Sequence, residues 1–324
     1  MRPEILIVGQ GLAGTLLAWE FERAGIAFAI TDGGQAPMAT AAAAGIINPV
    51  TGRRLVKSWR IDTLLPAART VFRELEEVLS VPLWRDMRVR RFFADDRERE
   101  VFARKWSQGE LAPYGGEVDE SGFWIQGGAR VDLPRLVAVA RARWERDGRW
   151  VKGGDEPAGA LVIDCTGAAV TRLVEFGFVP WEFSKGDILE LAVDGLVPDV
   201  VLNRRHWVVP VGEGVAWVGA THQPGQQDAD PNPVARATLE ASARGLLGDR
   251  PFRVVGHRSG VRGNLPDKRP VAGRHPEKSG WGIVNALGSK GALWAPLLAR
   301  QWVDHLTKGA PFDAEIDVGR FGRR

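Results

Sequence analysis

The chain has 324 residues, which at roughly 150 residues per domain suggests about two domains around a large buried core. Hydrophobic residues at 44% and charged residues at 26% exclude a disordered or fibrous chain. The 43 basic and 40 acidic residues leave a net charge of only +3, and the basic clusters are short with acids beside them. A surface dedicated to nucleic acid is therefore not expected. The single cysteine, Cys165, excludes a disulfide framework or a cysteine zinc site within one chain. It fits a reducing compartment, so a cytoplasmic location is expected.

In chain order, residues 4–8 form a short apolar run with the length of a buried strand. It meets Gly9-Gln10-Gly11-Leu12-Ala13-Gly14, then a helix over 15–24 that stops at Gly25. A second strand over 26–31 ends at Asp32. Residues 5–19 are apolar enough to resemble a secretory leader, but Gln10, the spaced glycines and the charges that follow fit a strand, turn and helix better. The small-residue run 39–44, ending in Gly45, reads as a loop that passes close to something. Residues 64–79 have helical spacing. Next come strand-like pieces at 87–93 and 123–126 around a charged helix at 96–106. Asp132 is placed to cap a helix that Pro134 opens and Gly148 ends. Residues 160–165 read as a buried strand closing at Thr166-Gly167. Residues 180–257 are mostly extended, with strands at 188–193, 206–211 and 215–220 and one helix at 233–247. A last strand at 281–286, a turn at Gly288-Ser289-Lys290-Gly291 and an apolar helix at 292–306 return to the opening style. No stretch of about 18 apolar residues occurs, so no membrane span is expected.

The chemistry begins at Gly9-x-Gly11-x-x-Gly14. Gly9 permits a tight turn, Gly11 lets backbone approach a pyrophosphate, and Gly14 lets helix and strand pack closely. The helix start at Leu12 and Ala13 offers free N–H groups to phosphate, and Asp32 at the end of the second strand suits ribose hydroxyls. Together these predict a dinucleotide and leave NAD and FAD both open.

Further segments bear on that choice. They are 41–47 (AAAAGII), 129–148, 161–167 (LVIDCTG), 185–189 (KGDIL), Val208-Val209-Pro210 with Gly219-Ala220-Thr221, Gly260-Val261-Arg262, 266–276 (PDKRPVAGRHP) and 286–297. With the glycine motif they run along nearly the whole chain in order. The chain resembles the FAD-dependent D-amino acid oxidase superfamily, which includes glycine oxidase and sarcosine oxidase. Its closing motif is most similar to the oxidoreductase domain of a bifunctional tRNA-modifying enzyme.

The resemblance implies an α/β protein: a Rossmann-like, glutathione-reductase-type FAD domain with a second, mixed β-rich substrate domain. The FAD domain is expected from 1–80, 128–180 and 258–324, and the substrate domain from 81–127 and 181–257. Non-covalent FAD is expected against Gly9, Gly11, Leu12, Ala13, Gly14, Asp32, Ala44, Gly45, Val131, Thr166, Gly167, Gly288, Ser289, Lys290, Gly291 and Ala292. Cys165 lies on the phosphate side of that arrangement, so it is not expected to attach the flavin.

The implied reaction removes a hydride from the carbon beside an amine. Arg262 matches the family's carboxylate-binding arginine, whose fork fixes the substrate's angle. Lys290 stands at the start of a helix that the family aims at the flavin, where positive charge stabilises the reduced state. Trp207 occupies the place where many members carry a tyrosine, and the only tyrosine, Tyr114, lies in an unrelated segment. Simple glycine or D-alanine oxidation is thereby in doubt, and Trp207 is a candidate for stacking on a larger group. Arg53, with Arg54 and Lys57, follows the glycine loop and is a candidate for attracting an acidic substrate.

The five histidines show no ligand spacing, so no metal is expected, and no GxSxG motif supports hydrolase chemistry. The expected function is oxidation of the C–N bond of a small amino acid or related amine. The alternatives are a carboxymethylaminomethyl group on tRNA, which the small charge excess does not favour, and a flavin-binding protein without turnover. The sequence leaves the oligomeric state open.

Overall fold

The computed structural model describes residues 4–32, 39–152, 159–172 and 174–322. Two sheets organise the chain. The first has five strands in the order Val271–Arg274, Trp281–Asn285, Leu161–Asp164, Ile5–Val8 and Ala29–Thr31. Ile5–Val8 is parallel to both neighbours, and only Val271–Arg274 pairs antiparallel. Its strands are buried on both sides and read as continuous apolar runs, as parallel strands under helices do.

Helices Leu12–Arg23 and Gly291–Lys308 pack over this sheet and share one core with it. Trp302 of the second helix is completely buried, and its indole nitrogen donates to the carbonyl of Ile283 at 3.2 Å. Asp132 caps helix Leu133–Arg146 by accepting from the amide of Arg135 at 3.2 Å, as its position before Pro134 predicts.

The second sheet runs Gln223–Pro224, Glu182–Ala192, Val215–Gly219, Trp207–Gly212, Val200–Asn203, Trp84–Phe92, Gly122–Val131 and Ile46–Ile47. Strand Arg253–Asn264 pairs with Glu182–Ala192, and Gly115–Asp119 with Gly122–Val131. Helix Pro233–Leu247 covers one face through Leu239, Ala243, Leu246 and Leu247. Residues 128 and 258, expected as domain boundaries, both lie inside strands of this sheet.

Several elements differ from the sequence reading. The first helix starts at Leu12 rather than 15, because the glycine motif forms its first turn. The second strand is only Ala29–Thr31, since residues 24–26 cap the helix by bonding back to Phe21, Glu20 and Glu22. Residues 39–42 form a short helix, not a loop; small side chains let it press onto Gly260, where a Cβ would lie 3.1 Å from the Ala39 Cα. Strands Trp84–Phe92 and Gly122–Val131 are longer than expected, and the second runs up to the Asp132 cap. The adjacent exposed Arg85 and Asp86, and the buried Arg90 and Arg91, break the apolar alternation that marks a strand. Expectations that fall on residues 33–38 lie outside the described residues.

Candidate active site

A cavity of about 520 Å³ opens between the two sheets, within the range of cofactor and ligand sites. Its first wall is the turn after Ile5–Val8, where Gly9, Gly11, Leu12 and Ala13 line the space. Gly9 has φ +103°, and a Cβ there would lie 2.6 Å from the carbonyl carbon of Cys165, so only glycine lets the two strand ends meet. Gly14 does not line the cavity. A Cβ on it would run into the Gly9 carbonyl, so it acts by packing helix on strand. Gly11 caps the helix with no side-chain bond, and the Leu12 amide donates to Thr40 Oγ1 at 3.1 Å. Thr40 lines the cavity from the short helix 39–42, which sequence reasoning took for a loop.

Asp32 and the Ala44–Gly45 backbone line the same space. Asp32 accepts from Arg141 Nη1 at 2.8 Å, and the Arg141 guanidinium lies 3.2 Å from the centre of the Trp150 ring. Val131, expected at the cofactor, has a fully buried side chain and is not in the wall. Its carbonyl instead covers Gly45, whose φ is +70° and whose Cβ would collide there.

The second wall comes from the closing turn. Gly288, Ser289, Gly291 and Ala292 line the cavity at the start of helix Gly291–Lys308, which also lacks a side-chain cap. Two helix N-termini whose cap residues make no side-chain bond thus face one cavity, each with partial positive charge. Lys290 does not line it. Its ammonium donates to Thr51 Oγ1 at 3.2 Å and Ser58 Oγ at 3.0 Å, tying the hairpin of Val50–Thr51 and Val56–Lys57 to the closing turn. Burial, then nearby Arg269, pushes its pKa down.

Thr166 and Gly167 complete this side, above the buried carboxyl of Asp164. Asp164 accepts from Thr166 Oγ1 at 2.8 Å and Asn285 Nδ2 at 3.3 Å. Asn285 Nδ2 also donates to the Gly167 carbonyl at 3.1 Å, and Asn285 Oδ1 accepts from the Ala286 amide at 2.7 Å. One carboxyl therefore links two cavity loops, and the sequence showed only the end of an apolar strand. Burial raises its pKa from 3.8 to about 6, against the lowering effect of those hydrogen bonds. A group whose pKa is raised on folding stabilises the fold fully below its unfolded value and loses that contribution as pH rises through about 6. Asp164→Asn, measured by urea midpoints at pH 4 and pH 8, is expected to gain stability relative to wild type at the higher pH. The gain is on the order of 1–3 kcal/mol. An equal difference at both pH values would contradict it.

The third wall belongs to the large sheet and carries Trp207 and Arg262. Trp207 is half-buried beside Gly219, where a Cβ would lie 3.2 Å from its ring. His206 points to the other face, where Nδ1 meets Ser242 Oγ at 2.7 Å. Arg262 lies against the bare Cα of Gly186, and a Cβ there would be 2.7 Å from its guanidinium carbon. Burial pushes its pKa down, and Asp187 opposes that. Asp187 itself is already taken. It meets Gln223 Nε2 at 2.7 Å, His257 Nε2 at 2.9 Å, the Asn232 amide at 3.0 Å and Thr221 Oγ1 at 3.2 Å. Among the described residues the Arg262 side chain has no ion-pair or hydrogen-bond partner, so a half-buried cation faces the cavity unpaired.

Arg53 corrects the expectation that it faces the site. Its side chain is 70% exposed and donates to Asp95 Oδ2 at 2.7 Å, outside the cavity. Arg172 and Gln227, which sequence reasoning missed, do line the cavity. Cys165 also lines it, and burial raises its thiol pKa well above the ordinary value. Among the described residues no group of three or more His, Cys, Asp or Glu is placed to hold a metal. Nor is any helix among them long and apolar enough to cross a membrane.

Comparison with known proteins adds four findings. Residues 4–305 match the family described as DAO, FAD dependent oxidoreductase. The tRNA 5-methylaminomethyl-2-thiouridine biosynthesis bifunctional protein MnmC of Maricaulis maris is 33% identical over 346 residues, covering 99% of this chain and 55% of that one. The chain thus spans about half the length of that relative. The glycine oxidase of Pseudomonas aeruginosa is 25% identical over 360 residues, covering 96% of each. The crystal structure of glycine oxidase from Geobacillus kaustophilus superposes with a TM-score of 0.77 at 21% identity, covering 97% of each chain, which shows the shared fold.

Proposed function

The chain belongs to the family of FAD dependent oxidoreductases, and from that premise we propose that it oxidises the C–N bond of a small amino acid or related amine bearing a carboxylate beside the nitrogen. The observation that carries this reading is Arg262, half-buried at the cavity wall without a carboxylate of its own. Holding an unpaired guanidinium partly out of water carries a desolvation cost. A substrate carboxylate offsets that cost by taking two parallel N–H···O bonds, which also fixes the neighbouring carbon.

The cavity fits the cofactor. The glycine turn leaves room that side chains would fill, and two helix N-termini point into it. Gly9, Gly11, Leu12 and Ala13 would hold the diphosphate, Asp32 a ribose, and Ala44, Gly45, Thr166 and Gly167 the path between. When bound, FAD would supply the acceptor for the hydride that leaves the amine carbon, while the proton leaving the nitrogen passes to water. Conversion of C–N to C=N gives an imine, which water hydrolyses.

The chain's own residues supply the rest. Arg262 anchors the substrate, while Trp207 shields one side of the cavity from water. The start of helix Gly291–Lys308 offers positive potential where negative charge develops. Lys290 is a positioning residue that holds the closing turn through Thr51 and Ser58.

A second reading places the amine on an RNA. The Maricaulis relative, named for tRNA thiouridine biosynthesis, favours it, as does the flat face of Trp207 in the cavity wall. Anaerobic spectra of the FAD-loaded protein with a panel of free amino acids, and with an RNA oligonucleotide carrying a carboxymethylamino group, separate the two. Bleaching by a free amino acid supports the first reading. Bleaching by the RNA alone replaces it with the second.

A further inference from the structure

A groove on the large-sheet side carries a concentration of charge that the cavity chemistry does not use. Helix Pro233–Leu247 presents Arg236, Glu240 and Arg244 at successive i, i+4 positions along one face. Arg250 and Arg253, from the turn and strand that follow, line the same groove. Four guanidinium groups thus stand against one carboxylate, in a chain whose whole net charge is +3.

Glu240 accepts from Arg236 at 2.9 Å and meets Arg244 at 3.5 Å, so it is fully engaged on the helix. Arg250 and Arg253 are exposed and, among the described residues, their side chains have no ion-pair or hydrogen-bond partner. Asp249 is exposed beside Arg250 but does not line the groove. Arg204 adds a further cation at the helix end, donating to the Gly245 carbonyl at 3.2 Å.

The groove's place relative to the cavity says what it suits. Strand Arg253–Asn264 begins at the groove with Arg253 and reaches the cavity at Arg262. Nine residues at about 3.3 Å each separate the two by roughly 30 Å. A free amino acid cannot touch both. A nucleic-acid strand, with one phosphate per about 3.4 Å of helix axis, spans that distance in about nine nucleotides. Arginine forks suit phosphate oxygens, and a shallow, solvent-open groove suits a backbone that slides in rather than a small anion that must be enclosed.

We propose that the groove of Arg236, Arg244, Arg250 and Arg253 docks the phosphate backbone of an RNA strand whose modified base enters the cavity. This rests on the second reading above.

The test uses the FAD-loaded full chain and a fluorescein-labelled RNA hairpin, with anisotropy read over a salt series. The variants are Arg250→Glu with Arg253→Glu, and Arg146→Glu as an exposed control elsewhere. The double variant is expected to bind about tenfold or more weakly at low salt, with the slope of log K against log salt reduced by about 1.4 for two lost contacts. The control is expected to match wild type, and all three proteins are expected to carry FAD equally. If the double variant binds RNA as well as wild type does, the groove is overturned while an RNA-borne substrate survives. If no protein binds RNA, both are overturned. If inorganic phosphate competes at concentrations equal to RNA phosphate, the groove is a small-anion site and the proposal is overturned.

Discussion

Arg262→Leu is expected to lower kcat/KM for a carboxylate-bearing amine by about 100- to 10,000-fold. Two charge-assisted hydrogen bonds of about 1.5–3 kcal/mol each are lost, and each 1.4 kcal/mol is tenfold. A clasp that holds ground and transition states alike raises KM; if it also aligns the reacting carbon, kcat falls too. The fold is expected to keep its stability, because leucine replaces a half-buried cation that has no partner among the described residues. The loss in turnover is therefore separable from unfolding by a urea curve on the same sample. A variant with kcat/KM within threefold of wild type would show that the substrate carboxylate sits elsewhere.

Gly14→Ala is expected to abolish FAD retention and to cost several kcal/mol of stability, the largest structural effect foreseen. The methyl group would run into the Gly9 carbonyl and lie 3.2 Å from its carbonyl carbon. The helix must then move away from the strand, carrying Leu12 and Ala13 out of the cavity wall. Gly280→Ala, with nothing within 4 Å of the added carbon, is the matched control and is expected to retain both flavin and stability. Thermal melts with and without added FAD read both effects. Equal flavin affinity in the two variants would contradict the role given to Gly14.

The parts legible in the sequence were those fixed over short distances along the chain. The glycine turn, its flanking strand and helix, and Asp32 follow from spacing alone, since each residue type there answers a local backbone demand. The same holds for the Asp132 cap, which one side chain and the next proline determine. Side-chain direction was less legible. Lys290 sits in the expected turn, yet its ammonium turns to Thr51 and Ser58, whose positions depend on a hairpin more than 200 residues earlier. Arg53 follows the expected loop but finds Asp95, brought near by the start of helix Asp96–Ser107. Val131 contributes its carbonyl to Gly45 rather than a side chain to the cavity, a consequence of strand pairing that no local pattern reveals.

Two features needed the assembled structure. Asp164 is one more polar residue in an apolar strand until Thr166 and Asn285 are seen to converge on it. Arg262 is marked by resemblance, but its value as an anchor depends on Asp187 being engaged elsewhere, by residues 221–257. The groove of arginines was hidden by the near-neutral total, because net charge averages over a surface and says nothing of how charge is placed.

The central claim is that the cavity recognises a carboxylate beside the amine it oxidises. Its most direct test is the anaerobic rate of flavin bleaching in the FAD-loaded protein, with each amino acid set beside the amine left after its decarboxylation. The account predicts that at least one amino acid bleaches the flavin, that its decarboxylated partner does so about 100-fold more slowly, and that Arg262→Leu removes the difference. Equal rates for acid and amine in the wild-type protein would contradict it.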